Sequence, residues 1–214
     1  MPGVTRGAGF TYVSVSKGKL VVKQPDGTKA YYDSWSNANL VGIKKVHDEK
    51  YDRDKWCLLL RELNGDSVIF QFTDSTWFAM GFFERILNCR LDLPIEIGVM
   101  GPKEDRSKAP DDESRSKTSF CYIRQDGETV KKDDSFPRPT KVMVNKKKMD
   151  DYTEVEARIE QIVAYLYEKG VKDTTVETDR QPQQHHGNDE PAATQKQSVP
   201  HNDDYPIPDE EPPF

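Results

Sequence analysis

Lys55-Trp56-Cys57-Leu58-Leu59-Leu60-Arg61-Glu62-Leu63, then Asn64-Gly65, then Asp66-Ser67-Val68-Ile69-Phe70-Gln71-Phe72-Thr73, is the stretch that sets the fold class. Apolar, β-branched and aromatic residues fill both arms, and Asn-Gly is among the strongest short hairpin signals because both residues tolerate the left-handed backbone of a tight turn. A two-residue loop puts Trp56, Leu58, Leu60 and Ile69 on one face and Cys57, Leu59, Phe70 and Phe72 on the other. Both faces are apolar, which predicts a central hairpin covered on both sides.

Two further hairpins flank it. Leu20 to Gln24 and Thr28 to Tyr32 surround Pro25-Asp26-Gly27, where Pro presets φ and Gly supplies the left-handed position of a three-residue loop. Phe120 to Gln125 and Glu128 to Lys132 surround Asp126-Gly127. Segments 39–47 and 93–100 read as further strands, for a total of seven or eight. Ser75 is placed to cap a helix running to about Asn88, with Phe78, Phe82 and Ile86 on its apolar face. Thr153 and Glu156 have capping-box spacing for a second helix, whose stripe of Val155, Ile159, Ile162, Val163 and Leu166 stops before Gly170. The expected fold is mostly β with two helices, and its element order fits an OB-like small β-barrel over residues 1–170.

The charge is unevenly distributed. The 214 residues carry a formal net charge of -6, yet residues 1–170 hold 28 Lys and Arg against 27 Asp and Glu, while residues 171–214 hold 3 against 10. The body is therefore free to carry basic patches, and the acidity belongs to the tail. From Val171 the apolar periodicity ends, so 171–200 is expected to be a disordered linker with a root-mean-square span of roughly 30 Å. The tip, 201–214, is expected to act as a docking peptide. It ends Asp203-Asp204-Tyr205-Pro206-Ile207-Pro208-Asp209-Glu210-Glu211-Pro212-Pro213-Phe214, an acidic, Pro-rich segment biased to extended backbone that displays a terminal ring beside its own carboxylate. The complementary receptor is a small apolar pocket ringed by Lys or Arg.

Residues Asp209, Glu210, Glu211, Pro213 and Phe214, with Asp203 and Asp204 as an outer acidic pair, resemble the C-terminal tip of bacterial and phage single-stranded-DNA-binding proteins, with Glu-Glu-Pro in place of the usual Asp-Asp-Ile. More loosely, the aromatic helix from Trp77, the Leu93 to Ile97 strand, the Tyr122 to Lys132 hairpin and the Thr140 to Asp150 segment look like small phage-encoded members of OB type. The resemblance implies a protein that coats single-stranded DNA in replication, recombination or repair. It also implies recruitment of polymerase, helicase-primase, nuclease or recombinase partners through the tip, and it is compatible with a homo-oligomer.

Hairpin register supplies candidate contacts independently of that resemblance. In the first hairpin Leu20, Val22, Ala30 and Tyr32 share a core face, and Val21, Lys23, Lys29 and Tyr31 share the other. Lys23 opposite Lys29 costs about a few tenths of a kcal/mol, which a polyanion would relieve. In the third, pairing Tyr122 with Lys131 and Arg124 with Thr129 again gives an aromatic and basic face. Rings for bases beside cations for phosphates are what sequence-tolerant single-strand binding needs. Trp35, in a polar run, and Lys44 and Lys45 are further DNA-binding candidates. The 103–117 loop, charged with both signs, is expected to be mobile. When DNA is absent, the acidic tip is expected to occupy the basic face in its place.

Other classes find less support. There is no G-x-G-x-x-G, Walker loop, H-E-x-x-H or nucleophile elbow, so no catalysis and no cofactor is expected. Cys57, Cys89 and Cys121 are odd in number and widely spaced, which suits buried reduced thiols, and three of four His lie in the tail, which leaves little for a metal site. No long apolar run or secretory leader is evident, which predicts a cytoplasmic protein with no membrane partner. The alternative reading is a protein-interaction hub or chaperone that keeps the docking tail and binds no DNA.

Overall fold

A computed structural model describes residues 10–144 and 147–173. In chain order the elements are β1 (Thr11–Ser16), β2 (Lys19–Lys23), β3 (Lys29–Tyr32), β4 (Ser34–Asp48), β5 (Arg53–Glu62), β6 (Ser67–Thr73), α1 (Trp77–Ile86), β7 (Ile95–Met100), β8 (Phe120–Gln125), β9 (Glu128–Thr129), β10 (Thr140–Val144), β11 (Lys147–Asp151) and α2 (Thr153–Glu168). Nine strands form one sheet in the order β3-β2-β1-β6-β5-β4-β7-β8-β9, and β10-β11 form a separate ribbon. All neighbours in the large sheet are antiparallel except β1 and β6. Asp33 alone separates β3, at one end of the strand order, from β4 near its middle. The chain itself thus draws the end of the sheet back toward its centre, and the sheet curls into a half-barrel. The fold is mostly β with two helices, as the sequence predicts.

Register explains the core. One transverse row, Ala30–Val22–Val13–Phe70–Leu58–Ile43, crosses six strands, and five of its members are buried. Their side chains share one face because every register step keeps the pleat in phase. Helix α1 lies against this inner face. Phe72 contacts Phe78 and Phe82 at ring-centroid distances of 5.2 and 5.5 Å, Trp56 meets Phe83 at 5.1 Å, and Gly81 lets the helix approach Cys121 of β8. Val155, Ile159, Ile162, Val163 and Leu166 bring α2 into the same core.

Several expectations change. Strands β1, β10 and β11 were not predicted, and eleven strands stand among the described residues against the seven or eight expected. The central hairpin is shifted by one residue. Glu62 donates to and faces Asp66, so the loop is Leu63-Asn64-Gly65, with Gly65 at φ 88° and the Asn64 side chain accepting from the Asp66 amide. That three-residue loop puts Trp56, Leu58, Leu60, Val68, Phe70 and Phe72 together on the inner face, and Cys57, Leu59, Ile69 and Gln71 on the other, where Leu59 and Ile69 are buried as well. The cap of α1 is Thr76, whose hydroxyl accepts from the Ala79 amide, while Ser75 sits at φ 53°. At α2 the capping box does not form, and Asp151 instead receives the amide and hydroxyl of Thr153.

The body also runs past Gly170. Gly170, at φ 93°, ends α2 and turns the chain so that Val171 is buried, the Lys172 amide donates to Val41 and the Lys172 carbonyl accepts from Ile43. Residues 171–173 therefore belong to the fold rather than to the linker. The remainder of the linker and the whole tip, with Asp203, Asp204, Asp209, Glu210, Glu211, Pro213 and Phe214, lie outside the described residues. A chain ending at Gly170 is expected to be at least about 2 kcal/mol less stable in urea than one ending at Asp173, from lost apolar burial and two backbone hydrogen bonds. Equal midpoints would refute that boundary.

The segment after β9 is held by buried charge. Glu84, 2% exposed, receives Arg85 and Arg138 at 2.7 Å and Lys132 at 3.2 Å, while Arg158 of α2 holds Asp133 at 3.0 Å. Burial works against the Glu84 charge, but hydrogen bonds from Arg138 and Lys132 outweigh it and hold the carboxyl below the ordinary glutamate range. A depressed folded-state pKa gives stability that is present above the unfolded value and is lost as pH falls through the folded one. Glu84→Gln is thus expected to be less stable than the parent at pH 7 and to lose less on acidification below about pH 4.3. Urea titrations of both proteins at pH 7 and in acid check this; identical pH profiles would rule it out.

Candidate nucleic-acid interface

On the outer face of the sheet a second transverse row, Tyr31–Val21–Ser14–Gln71–Cys57–Lys44, runs from β3 to β4. The first-hairpin register is as predicted, with Lys23 opposite Lys29 and Val21 opposite Tyr31. Its loop closes through Gln24 and Thr28, with Gly27 at φ 85°. Strand β1, next to it, adds Tyr12, which is 52% exposed. Tyr12, Tyr31, Val21, Lys17, Lys23 and Lys29 line a hollow of about 520 Å³ whose far wall is Pro110-Asp111. Lys23 and Lys29 make no ion pair with any described residue, so their ammonium groups stand free for an anion.

The wall is fixed, contrary to the mobile loop expected at 103–117. Arg115, 5% exposed, donates from Nε to the Lys17 carbonyl and from Nη1 to the carbonyls of Asp105 and Lys108. The Asp105 carboxylate, 1% exposed, accepts from Lys108 and from the Ser116 amide; the Lys108 hydrogen bond leads in holding it below its ordinary range. Lys17 reaches across to the Asp112 carbonyl, and Ser119 accepts from the Gly18 amide. The loop is pinned to the β1–β2 turn by partners that are distant in sequence.

The second predicted face lies on β8. Arg124 pairs with Thr129 and Gln125 with Glu128, the register expected for an Asp126-Gly127 loop, whose residues take φ values of 53° and 81°. Strand β9 ends at Thr129, however, and although the Val130 amide still donates to Ile123, Lys131 does not pair with Tyr122. Its carbonyl is instead drawn to the Asn88 side chain. The Tyr122 ring lies across Gly98 of β7, where an added Cβ would fall 1.9 Å from Cζ. The Arg124 guanidinium is stacked 5.0 Å from the ring centroid and 3.6 Å from Glu96. Tyr122 is therefore a support for Arg124 rather than an open platform for a base.

Other predicted contacts divide between the two faces. Lys44 is on the outer row, with Asp173 3.9 Å away. Lys45, one residue on, faces inward over the Trp56 ring at 5.7 Å and contacts Asp74 at 2.6 Å and Asp54 at 3.4 Å. Burial opposes its charge, but the carboxylates prevail and hold its pKa above the usual value. Trp35 is also inward, paired with Ile97, in edge contact with Tyr32 and with a buried indole Nε1 that has no partner among the described residues. Neither Lys45 nor Trp35 is available to a ligand on the outer face. Of the residues that sequence reasoning passed over, Tyr12 and Lys17 were legible in the alternation Thr11-Tyr12-Val13-Ser14-Val15-Ser16 ahead of a Lys17-Gly18 turn.

The thiols are all free. Burial pushes Cys89 up to about 12 and Cys121 up as well, which leaves neither suited to nucleophilic chemistry. Among the described residues no His, Cys, Asp and Glu group is placed to hold a metal ion, and no helix is long and apolar enough to cross a membrane. No family model, no curated protein and no solved structure matches this chain.

Gly98→Ala tests the placement of Tyr122. Burial first and Glu96 second hold the Tyr122 phenol above its ordinary value. Displacing the ring is expected to bring its titration down toward the ordinary range, followed by NMR of ring-labelled tyrosine. An unchanged Tyr122 titration would show that the ring does not rest on Gly98.

Proposed function

We propose that this chain binds single-stranded DNA on the outer face of the half-barrel and recruits replication or recombination proteins through its acidic C-terminal tip. The observation that carries the reading is the Tyr12–Tyr31 hollow, where two accessible rings alternate with Lys17, Lys23 and Lys29 in a rigid frame. Bases stack on rings without regard to sequence, and ammonium groups follow the phosphates. Lys44 on β4 adds a cation at the far end of the outer row that begins at Tyr31, about 24 Å away along five strand spacings of about 4.8 Å. Arg124 supplies a separate contact on β8. The tip adds a ring and a carboxylate for a partner's pocket, and its acidic side chains compete with phosphate for the same lysines.

Titration with a short oligothymidine at low salt is expected to quench tyrosine emission, with affinity falling linearly in log salt. Tyr31→Ala and Tyr12→Ala should each weaken binding by roughly tenfold or more, at about 1–3 kcal/mol per stacked base. Trp35→Phe should leave affinity unchanged. Deleting residues 203–214 should tighten binding most at low salt and abolish partner recruitment. Absence of any salt-sensitive oligonucleotide binding would overturn the reading and favour a protein-interaction hub instead.

A further inference from the structure

A second hollow, of about 510 Å³, lies beside Tyr122 and is lined by Lys19, Arg85, Arg106, Arg115 and Arg124 around Gly101. Asp33, the one carboxylate in that lining, is held by Lys19 at 2.6 Å. Two of the arginines are almost fully buried, with Arg85 8% and Arg115 5% exposed. A buried guanidinium is tolerated only with acceptors and compensating charge around it. Here each buried arginine has a buried carboxylate near it, Glu84 beside Arg85 and Asp105 beside Arg115, but both carboxylates are shared with other cations. Arg115 donates to three carbonyl oxygens and feels the Asp105 carboxylate, which Lys108 also holds at 2.6 Å, and its Nη2 stands beside Gly101, where a Cβ would come within 3.6 Å. Arg85 bonds the Gly81 carbonyl and Glu84, but Glu84 is shared with Lys132 and Arg138. The Arg85 Nε–H is buried and has no partner among the described residues.

Arg106 and Arg124, both exposed, add positive charge at the rim. Arg106 makes no ion pair with a described residue. Gly101 leaves bare backbone in the middle of the lining, where a side chain would occupy the space next to Arg115. Fixed planar donors, excess positive charge and an unused buried donor together describe a receptor for a compact, multiply charged oxyanion.

We propose that this hollow is a phosphate pocket that seats a phosphate monoester dianion, with Arg85 and Arg115 as its fixed donors and Arg106, Arg124 and Lys19 completing its charge. A monoester carries about −1.5 to −2 at neutral pH and offers three strong acceptor oxygens. It matches a lining of five cations and one carboxylate better than the single charge of an internal phosphodiester. The same chemistry is offered by the 5′-phosphate end of a DNA strand and by a free phosphate compound. The pocket stands on its own residues and does not depend on the Tyr12–Tyr31 hollow.

The test uses the full chain and three probes: inorganic pyrophosphate by calorimetry against chloride at matched ionic strength, and two otherwise identical oligothymidines ending in 5′-phosphate or 5′-hydroxyl. Saturable pyrophosphate binding is expected, weakened about tenfold by Arg106→Ala, as for a lost charge-assisted hydrogen bond. Arg106 is exposed, so this variant keeps its fold; Arg85→Lys is the second variant, with folding checked by thermal melting, and is expected to weaken pyrophosphate binding while melting as a folded protein. Tighter binding of the 5′-phosphorylated strand supports the pocket and identifies a strand end as its ligand. Equal binding of the two strands alongside pyrophosphate binding supports it and identifies a free phosphate compound. No saturable pyrophosphate binding, or wild-type affinity in Arg106→Ala, overturns the pocket even if both strands bind. Pyrophosphate binding without strand binding leaves the pocket standing and removes the single-stranded-DNA reading.

Discussion

The outer surface of this half-barrel is organised around the meeting of two glycines. A Cβ on Gly18, at the β1–β2 turn, would lie 2.5 Å from both the Cα and the amide nitrogen of Gly101, at the end of β7, a separation that no side chain permits. Gly18 also holds φ at 72°, which a residue with a side chain adopts only under strain. The approach is reinforced from both sides. Asp33 accepts the Val99 amide on its carbonyl and Lys19 on its carboxylate, and Arg115 ties the Lys17 carbonyl to the 103–117 loop. With only Asp33 between β3 and β4, the outermost hairpin cannot swing away from β7. The curl of the sheet and the side-by-side placement of the two hollows, one on each flank of Lys17–Lys19, follow from this contact.

Pleat parity then decides which charges are available. The ladder between β4 and β5 shifts at a bulge between Leu40 and Gly42, and the shifted phase sends Ile43 and Lys45 inward while Lys44 stays outside. Two consecutive lysines thus have opposite roles. Lys45 lies against Trp56 within a chain of contacts that continues from Asp74 to the Trp56 Nε1–H and from Asp54 to His47, which knits the β4–β5 end of the sheet. Its charge is consumed by neighbouring carboxylates. Lys44, partly exposed and with Asp173 3.9 Å away, lies on the same row as Tyr31 and adds to the field that an approaching polyanion would meet.

How far the sequence carried the reading depended on whether pattern or contact decides each element. The first hairpin was legible to the residue, and the third in its loop and the two pairs next to it, because Pro25-Asp26-Gly27 and Asp126-Gly127 each admit one loop length and one arm face is polar. The central hairpin slipped by one. Its arms are apolar on both faces, so a shift exposes nothing and the pattern cannot select the register; the hydrogen bond from the Asp66 amide to Asn64 selects it instead. The 103–117 loop misled for another reason. Its mixed charges look like a solvated surface, yet Arg115 answers to Lys17, 98 residues away, and no local signal reports that distance. Lys131 was assigned to a strand that ends two residues earlier, where Asn88 captures its carbonyl.

Two tyrosines that look alike in the sequence, Tyr31 and Tyr122, each sit on a strand among basic residues, and what lies beneath each ring separates them. Tyr31 is opposite Val21, a neighbour that leaves the phenol beside an open hollow with Tyr12 and three lysines. Tyr122 is opposite Gly98, and the missing side chain lets the ring lie down on the backbone, where Arg124 stacks with it. A ring laid flat on β7 offers little to a base, but it fixes the guanidinium it carries, and a fixed guanidinium loses less freedom on meeting a phosphate oxygen. One glycine thereby converts a stacking site into an anion site. The two hollows flanking the β1–β2 turn are for that reason chemically complementary, one presenting rings with lysine ammonium groups and the other presenting arginines, of which Arg85, Arg115 and Arg124 are already held in place.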